Sequence, residues 1–233
     1  MAVDRWLLHQ HQQGQSPPVL RFYTWSPAAV SLGYHQRRWP PAWRSLVWRG
    51  QPVDLVRRPS GGRAVLHAGD LTYALIASGF KGERLQVYRQ VCQFLVEGLG
   101  AVDVPLVLGS AGRGYIHNPN CFGTATGADL VGAADPAQKI IGSAQFWSAS
   151  CLLQHGSIRL SVESGLYREV FGEVENRIHL PQALAELPEE MRLQRLIAEL
   201  KSAAERCFDA CFYTAALTSA EIAAAVEAFS LPV

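Results

Sequence analysis

The chain has 233 residues, 48% of them hydrophobic and 18% charged, with a formal net charge of +1. That is enough for one large domain or two small ones around a substantial core, and so small a net charge excludes the global basic field typical of nucleic-acid binding. No apolar run reaches the length of a membrane span, and MAVDRWLLHQHQQ lacks the apolar core of a secretory signal. A cytoplasmic protein with neither nucleic acid nor membrane as partner is expected.

Residues 1–11 form a short, weakly helical stretch, closed by the loop GQSPP. Leu20 to Trp25 alternates as a strand, Ser26-Pro27 breaks it, and Val30 to Leu32 is a second strand ahead of Gly33. Trp39-Pro40-Pro41 imposes irregular structure, and Ala42 to Arg49 reads as a short helix. The richest stretch is Arg57 to Ile76. A strand carrying Val53 and Leu55 meets Ser60-Gly61-Gly62, where glycine permits close backbone approach or positive φ. Val65-Leu66 and Leu71, Tyr73 and Leu75 then read as a hairpin around Ala68-Gly69-Asp70. Exposed turn amides beside Arg58 and Arg63 suit a carboxyl, phosphate or thioester carbonyl; a plain β-turn with solvated arginines is the other reading.

From Leu85 the spacing becomes helical through Tyr88, Cys92, Leu95 and Leu99, with Gly98 and Gly100 ending the helix. Val102 to Leu108 suggests a strand, and residues 109–127 are a long Gly- and Asn-rich connection of the kind that is usually functional or disordered. Strands follow at 129–131, 139–147 and 152–160, with a turn at Asp135-Pro136. Leu193 to Cys211 carries one apolar stripe, and a Thr218/Glu221 capping box opens a last helix expected to bury Ile222, Val226 and Phe229. The most economical architecture is a single α+β domain over residues 1–233, a mixed, largely antiparallel sheet flanked by helices.

Seven arginines (37, 38, 44, 49, 57, 58 and 63) crowd one segment opposed only by Asp54, which suits either an acidic partner or a solvated face. The five cysteines show no Cys-x-x-Cys pair and no zinc spacing, so neither a disulfide framework nor a metal is expected. Cys92, Cys207 and Cys211 fall on helical apolar faces and Cys151 opens a strand; Cys121 alone stands in the long connection.

Taken together, RRPSGGRAVLH, NPNCFGTATGADLV, QKIIGSAQFW and LLQHGSI resemble, in order and spacing, the successive blocks of the lipoate-protein ligase and octanoyltransferase family. The resemblance extends over MAVDRWLL and LRFYTWSPAAVSLGYHQ. It implies the biotin/lipoate protein ligase catalytic-domain fold, without a C-terminal accessory domain. Asn-Cys-Phe places Cys121 where cysteine-using monomeric octanoyltransferases carry their nucleophile.

By this resemblance the expected reaction is transfer of an octanoyl group, from acyl carrier protein or another carrier, to a lysine of a lipoyl-domain or glycine-cleavage carrier protein. Cys121 forms the acyl-enzyme and Lys139 steadies its thiolate and the thioester oxygen. The implied substrate-binding residues are Arg58, Ser60, Gly61, Gly62, Arg63, Ala64, His67, Gly142, Ser143, Ala144, His155 and Gly156. No cofactor is implied. The alternatives are an ATP-dependent lipoate ligase, which brings ATP and magnesium, and a non-catalytic acyl- or carrier-binding module. Five departures stand out: no strand precedes the first helix, Arg5 replaces an acidic residue, Ala68 replaces an aspartate beside His67, Ala128 occupies an often aromatic position, and residues 133–136 look inserted.

Overall fold

The computed structural model describes residues 1–109, 129–161, 163–172 and 180–233. In chain order the elements are α1 (Ala2–Gln12), β1 (Val19–Tyr23), β2 (Ala29–Leu32), a 3-10 turn (Pro41–Ser45), β3 (Val47–Trp48), β4 (Gln51–Pro52), β5 (Asp54–Arg57), β6 (Val65–His67), β7 (Asp70–Ser78), α2 (Arg84–Gly100) and β8 (Leu106–Leu108). There follow β9 (Asp129–Gly132), β10 (Lys139–Ser148), β11 (Cys151–Arg159), α3 (Ser164–Phe171), α4 (Gln182–Ala185), α5 (Glu189–Phe208) and α6 (Ser219–Phe229).

Strands β7 and β11 are nearly all buried, as strands covered on both faces must be. They form the centre of a six-stranded antiparallel sheet ordered β1-β7-β11-β10-β9-β8. A second sheet, β5-β2-β6, pairs β2 parallel to β5 and antiparallel to β6. The mixed, largely antiparallel α+β architecture therefore holds. The hairpin does not: β6 belongs to the second sheet, whereas β7 pairs with β1 and β11. Gly69, at φ +89°, turns the chain between the two, and a Cβ there would come within 2.1 Å of Ser161 Oγ. Alternation marks a strand and a glycine marks a turn, but neither says that the strands flanking it pair with each other.

One face of the large sheet carries Leu71, Tyr73, Leu75, Leu152 and Ile158 against α2 and α5. These helices meet closely at Gly98, where a Cβ would lie 2.9 Å from Leu200 Cα. The helix thus runs through Gly98 to Gly100, and Gly98 is a packing contact rather than a stop. The opposite face carries Ala74, Ile76 and Leu153 against α1, and α6 joins that layer through Ala225.

Ile222 and Val226 are 43% and 52% exposed, contrary to the sequence expectation, and Phe229 is only partly buried. In SAEIAAAVEAF most of the circumference is apolar, so the period does not choose a face, and small Ala225 permits the closest approach. The Thr218/Glu221 capping box is present. Cys211 lies beyond α5 and is exposed. Residues 42–49 form the end of the 3-10 turn and β3 instead of a helix. No helix among the described residues is long and apolar enough to cross a membrane.

Candidate active site

The turn after β5 is built around Arg58. Its guanidinium is buried and donates to the carbonyl oxygens of Ser31 (2.9 Å), Gly61 (3.1 Å) and Arg63 (2.5 Å), closing the loop from within. Gly62, at φ +98°, leaves no room for a side chain beside Arg58 Nη2. What sits against this backbone is Gly33, where a Cβ would come within 1.8 Å of the Gly62 carbonyl oxygen. Ala64 is fully buried in the second sheet's core.

Ser60 points inward. Its Oγ lies 2.5 Å from His155 Nε2, and His155 Nδ1 lies 3.8 Å from Asp4 Oδ2, too far for a direct hydrogen bond. Asp4 is fully buried in α1 and accepts from Arg21 and Tyr23, each at 2.8 Å. Burial alone raises the Asp4 carboxyl, but the Met1 ammonium, His155 and Arg21 outweigh it and hold it well below the carboxylate range. Burial depresses His155, against the pull of Asp4. A neutral His155 with its Nδ1 proton toward the carboxylate leaves Nε2 to accept from the Ser60 hydroxyl.

A second buried cluster lies beside this one. His67 Nδ1 meets Asp70 Oδ2 at 2.8 Å and His67 Nε2 meets Ser31 Oγ at 2.8 Å, while Trp25 stacks on the imidazole with ring centroids 4.3 Å apart. Ser157 and Thr72 also donate to Asp70, at 2.6 and 3.1 Å. Burial raises this carboxyl, yet His67 and the two hydroxyls hold it below its ordinary value. The carboxylate that Ala68 fails to supply to His67 is therefore supplied by Asp70.

On β10, the register places Gly142, Ser143 and Ala144 opposite Ser157, Gly156 and His155. Ser143 accepts from Tyr73 Oη at 2.7 Å. At Gly156 a Cβ would meet Ser143 Oγ at 2.6 Å and the Tyr73 ring at 2.7 Å. Gln154 donates to Tyr73 Oη and to Cys92 Sγ, whose thiol is pushed up to about 11 by burial. Cys92 is thus a packing residue.

Lys139 opens β10, and its Nζ is 2.8 Å from Asp129 Oδ1, with both side chains buried. Asp129 is the first residue of β9, so the pair stands where the 110–128 segment rejoins the sheet. Cys121 lies in that segment, outside the described residues. Among the described residues no three His, Cys, Asp or Glu side chains are grouped to hold a metal ion.

Asp4, Asp70 and Asp129 went unrecognised in the sequence. A partial signal existed, since Asp4 and Asp129 each stand in a predicted element, whereas Asp70 reads as part of a turn. Arg5, the conspicuous departure beside Asp4, instead donates to the Phe229 carbonyl and ties α1 to α6.

Two sheets sharing a seam of buried His, Ser and Asp side chains define an α+β domain of the lipoate-ligase type. Lipoate-protein ligase A bound with ATP superposes with a TM-score of 0.74 over 98% of this chain and 87% of that one, at 20% identity. The bipartite lipoate protein ligase of Thermoplasma acidophilum gives a TM-score of 0.68 over 97% and 87%, at 16% identity. Residues 1–208 match the model of the lipoyl protein ligase A/B catalytic domain, and the chain belongs to that family. Among similar sequences, the octanoyltransferase LipM of Symbiobacterium thermophilum is 33% identical over 211 residues, 87% of this chain and 70% of the relative. That of Moorella thermoacetica is 32% identical over 85% of this chain and 69% of the relative.

Proposed function

We propose that the chain is one catalytic unit that transfers an octanoyl group, without nucleotide, to a lysine of a lipoyl-domain or glycine-cleavage carrier protein, with octanoyl-acyl carrier protein as donor. The observation that carries this reading is the likeness to octanoyltransferases named LipM, at 31–35% identity across most of the chain. In support, the buried Lys139–Asp129 pair stands beside the segment that contains Cys121.

Cys121 Sγ, as thiolate, attacks the donor's thioester carbonyl. A carbon–sulfur bond forms to the enzyme, and the donor thiolate leaves and takes up a proton. The deprotonated ε-amine of the acceptor lysine then attacks the acyl-enzyme, so that a carbon–nitrogen bond forms, the bond to Cys121 breaks, and the proton shed by nitrogen returns to sulfur. Lys139 provides the positive charge that favours thiolate and oxyanion, and Asp129 keeps the ammonium in place. The Ser60–Gly62 turn and His155 border the acyl site in this reading, and Gly156 and Ser143 lie on the paired strands β11 and β10, with Ser143 turned toward Tyr73.

Intact-protein mass spectrometry tests it. Mixing the chain with octanoyl-acyl carrier protein, without ATP, is expected to add one octanoyl group, and Cys121→Ala is expected to add none. An adduct that persists in Cys121→Ala, or that needs ATP, defeats the proposal.

A further inference from the structure

Six of the seven arginines between 37 and 63 divide into two sets. Some are committed: Arg58 closes the Ser60 turn, Arg57 donates to the carbonyls of Gly33, Tyr34, Gln36 and Pro232, and Arg49 pairs with Glu163 at 3.0 Å. Arg37, Arg38 and Arg44 are exposed, and no carboxylate of the described residues forms an ion pair with them. Arg44 lies over the Trp39 ring at 4.9 Å and donates to the Val233 carbonyl. With Arg57, Trp39 and Val233 they line an open cleft of about 570 Å³. Arg57 and Arg44 have oxygen acceptors there, but Arg37 and Arg38 add exposed positive charge with no carboxylate partner among the described residues, so the surface favours an anion.

The cleft is tied to the Ser60 turn. Arg37 follows the 33–36 segment that Arg57 clamps, the Tyr34 amide donates to the Ser60 carbonyl at 2.9 Å, and Gly33 packs on Gly62. A molecule seated among these arginines therefore stands beside the turn that borders the acyl site in the reading above.

We propose that this cleft docks the acidic carrier protein that donates the acyl group, through Arg37, Arg38 and Arg44. The inference rests on the octanoyltransferase reading and adds the surface and the partner it fits. The donor is favoured over the acceptor by charge. The donor's arm carries a phosphodiester, an anion that guanidinium groups bind well and that the acceptor's lysine side chain lacks.

The test compares the parent with Arg37→Glu/Arg38→Glu, and with Arg84→Glu/Arg89→Glu on the exposed side of α2 as a control of equal charge change. Transfer is measured from octanoyl-acyl carrier protein and from octanoyl-N-acetylcysteamine, a small uncharged thioester. The expected result is a loss of about tenfold or more in kcat/KM for the protein donor in the first variant alone, shrinking as salt rises from about 0.01 to 0.5 M. The small donor and the KM for the acceptor are expected to stay at parent values. Equal loss with both donors, no loss with either, or a raised KM for the acceptor overturns the proposal. A parent that transfers from neither donor fails the octanoyltransferase reading itself. Fluorescence anisotropy of labelled octanoyl-acyl carrier protein with parent and variant then decides the docking separately, equal affinities overturning it.

Discussion

His155 and Gln154 are adjacent in the chain and fully or almost fully buried, yet they live in different chemistry because the pleat sends them to opposite faces of β11. The His155 face continues through Arg21, Ala74 and Ala144 in register, and it meets α1 and the second sheet, so it holds the buried carboxylates: Asp4 beside Arg21, and Asp70 beside His67. The Gln154 face meets α2 and α5 and holds neutral groups, a phenol, an amide and a thiol. The difference teaches how each face offsets burial. Charges are kept where three separately folded elements converge to pair them, and neutral polar groups suffice where helices supply only hydrocarbon.

That contrast can be broken most directly at Asp70. Asp70→Ala leaves His67, Ser157 and Thr72 without their shared acceptor and is expected to cost about 3–5 kcal/mol in urea unfolding; a cost below about 1 kcal/mol removes the claim that this face depends on its charges. The pH dependence sharpens the same point. His155 has a depressed pKa in the folded state, so the unfolded chain binds more protons as pH falls through about 6.5, and stability declines from neutral pH toward acid. Asp70 and Asp4, also depressed, contribute fully above about 4 and lose that contribution as pH drops through their folded values. Urea midpoints are expected to fall between pH 7 and 5, and His155→Gln is expected to flatten that limb while leaving the steeper loss below pH 4.

A smaller effect is expected on the other face. Gln154→Leu removes three neutral hydrogen bonds, to Tyr73, Cys92 and Gln145, and is expected to cost about 1–2 kcal/mol by calorimetry, with no new pH dependence. The smallest belongs to α6, outside both faces: Ile222→Ser is expected to stay within about 0.5 kcal/mol, since the side chain is exposed. A larger cost there means that α6 buries the face its sequence first suggested.

Much of the framework was legible because it follows from short-range physics. The alternation over 71–77, the three-four spacing from Leu85 and the Thr218/Glu221 box each specify an element whatever surrounds them. Ser60, Lys139 and His155 were also visible, as parts of four blocks in a known order. Their partners were not. His155 meets a carboxylate 151 positions earlier, and nothing in MAVDRWLL marks Asp4 as its neighbour.

The sequence by itself determined most of the strands and helices and the order of the four blocks, and hence the family. Tertiary structure alone decided that β6 and β7 part into different sheets, that Asp70 is the carboxylate paired with His67, and that Asp129 meets Lys139. It also decided that Arg57 and Arg58 are committed to carbonyls while Arg37 and Arg38 face solvent. The reason is physical. Periodicity reports how a residue relates to its own element, whereas pairing and burial depend on which elements meet, and that is set by packing across distances the local pattern does not encode.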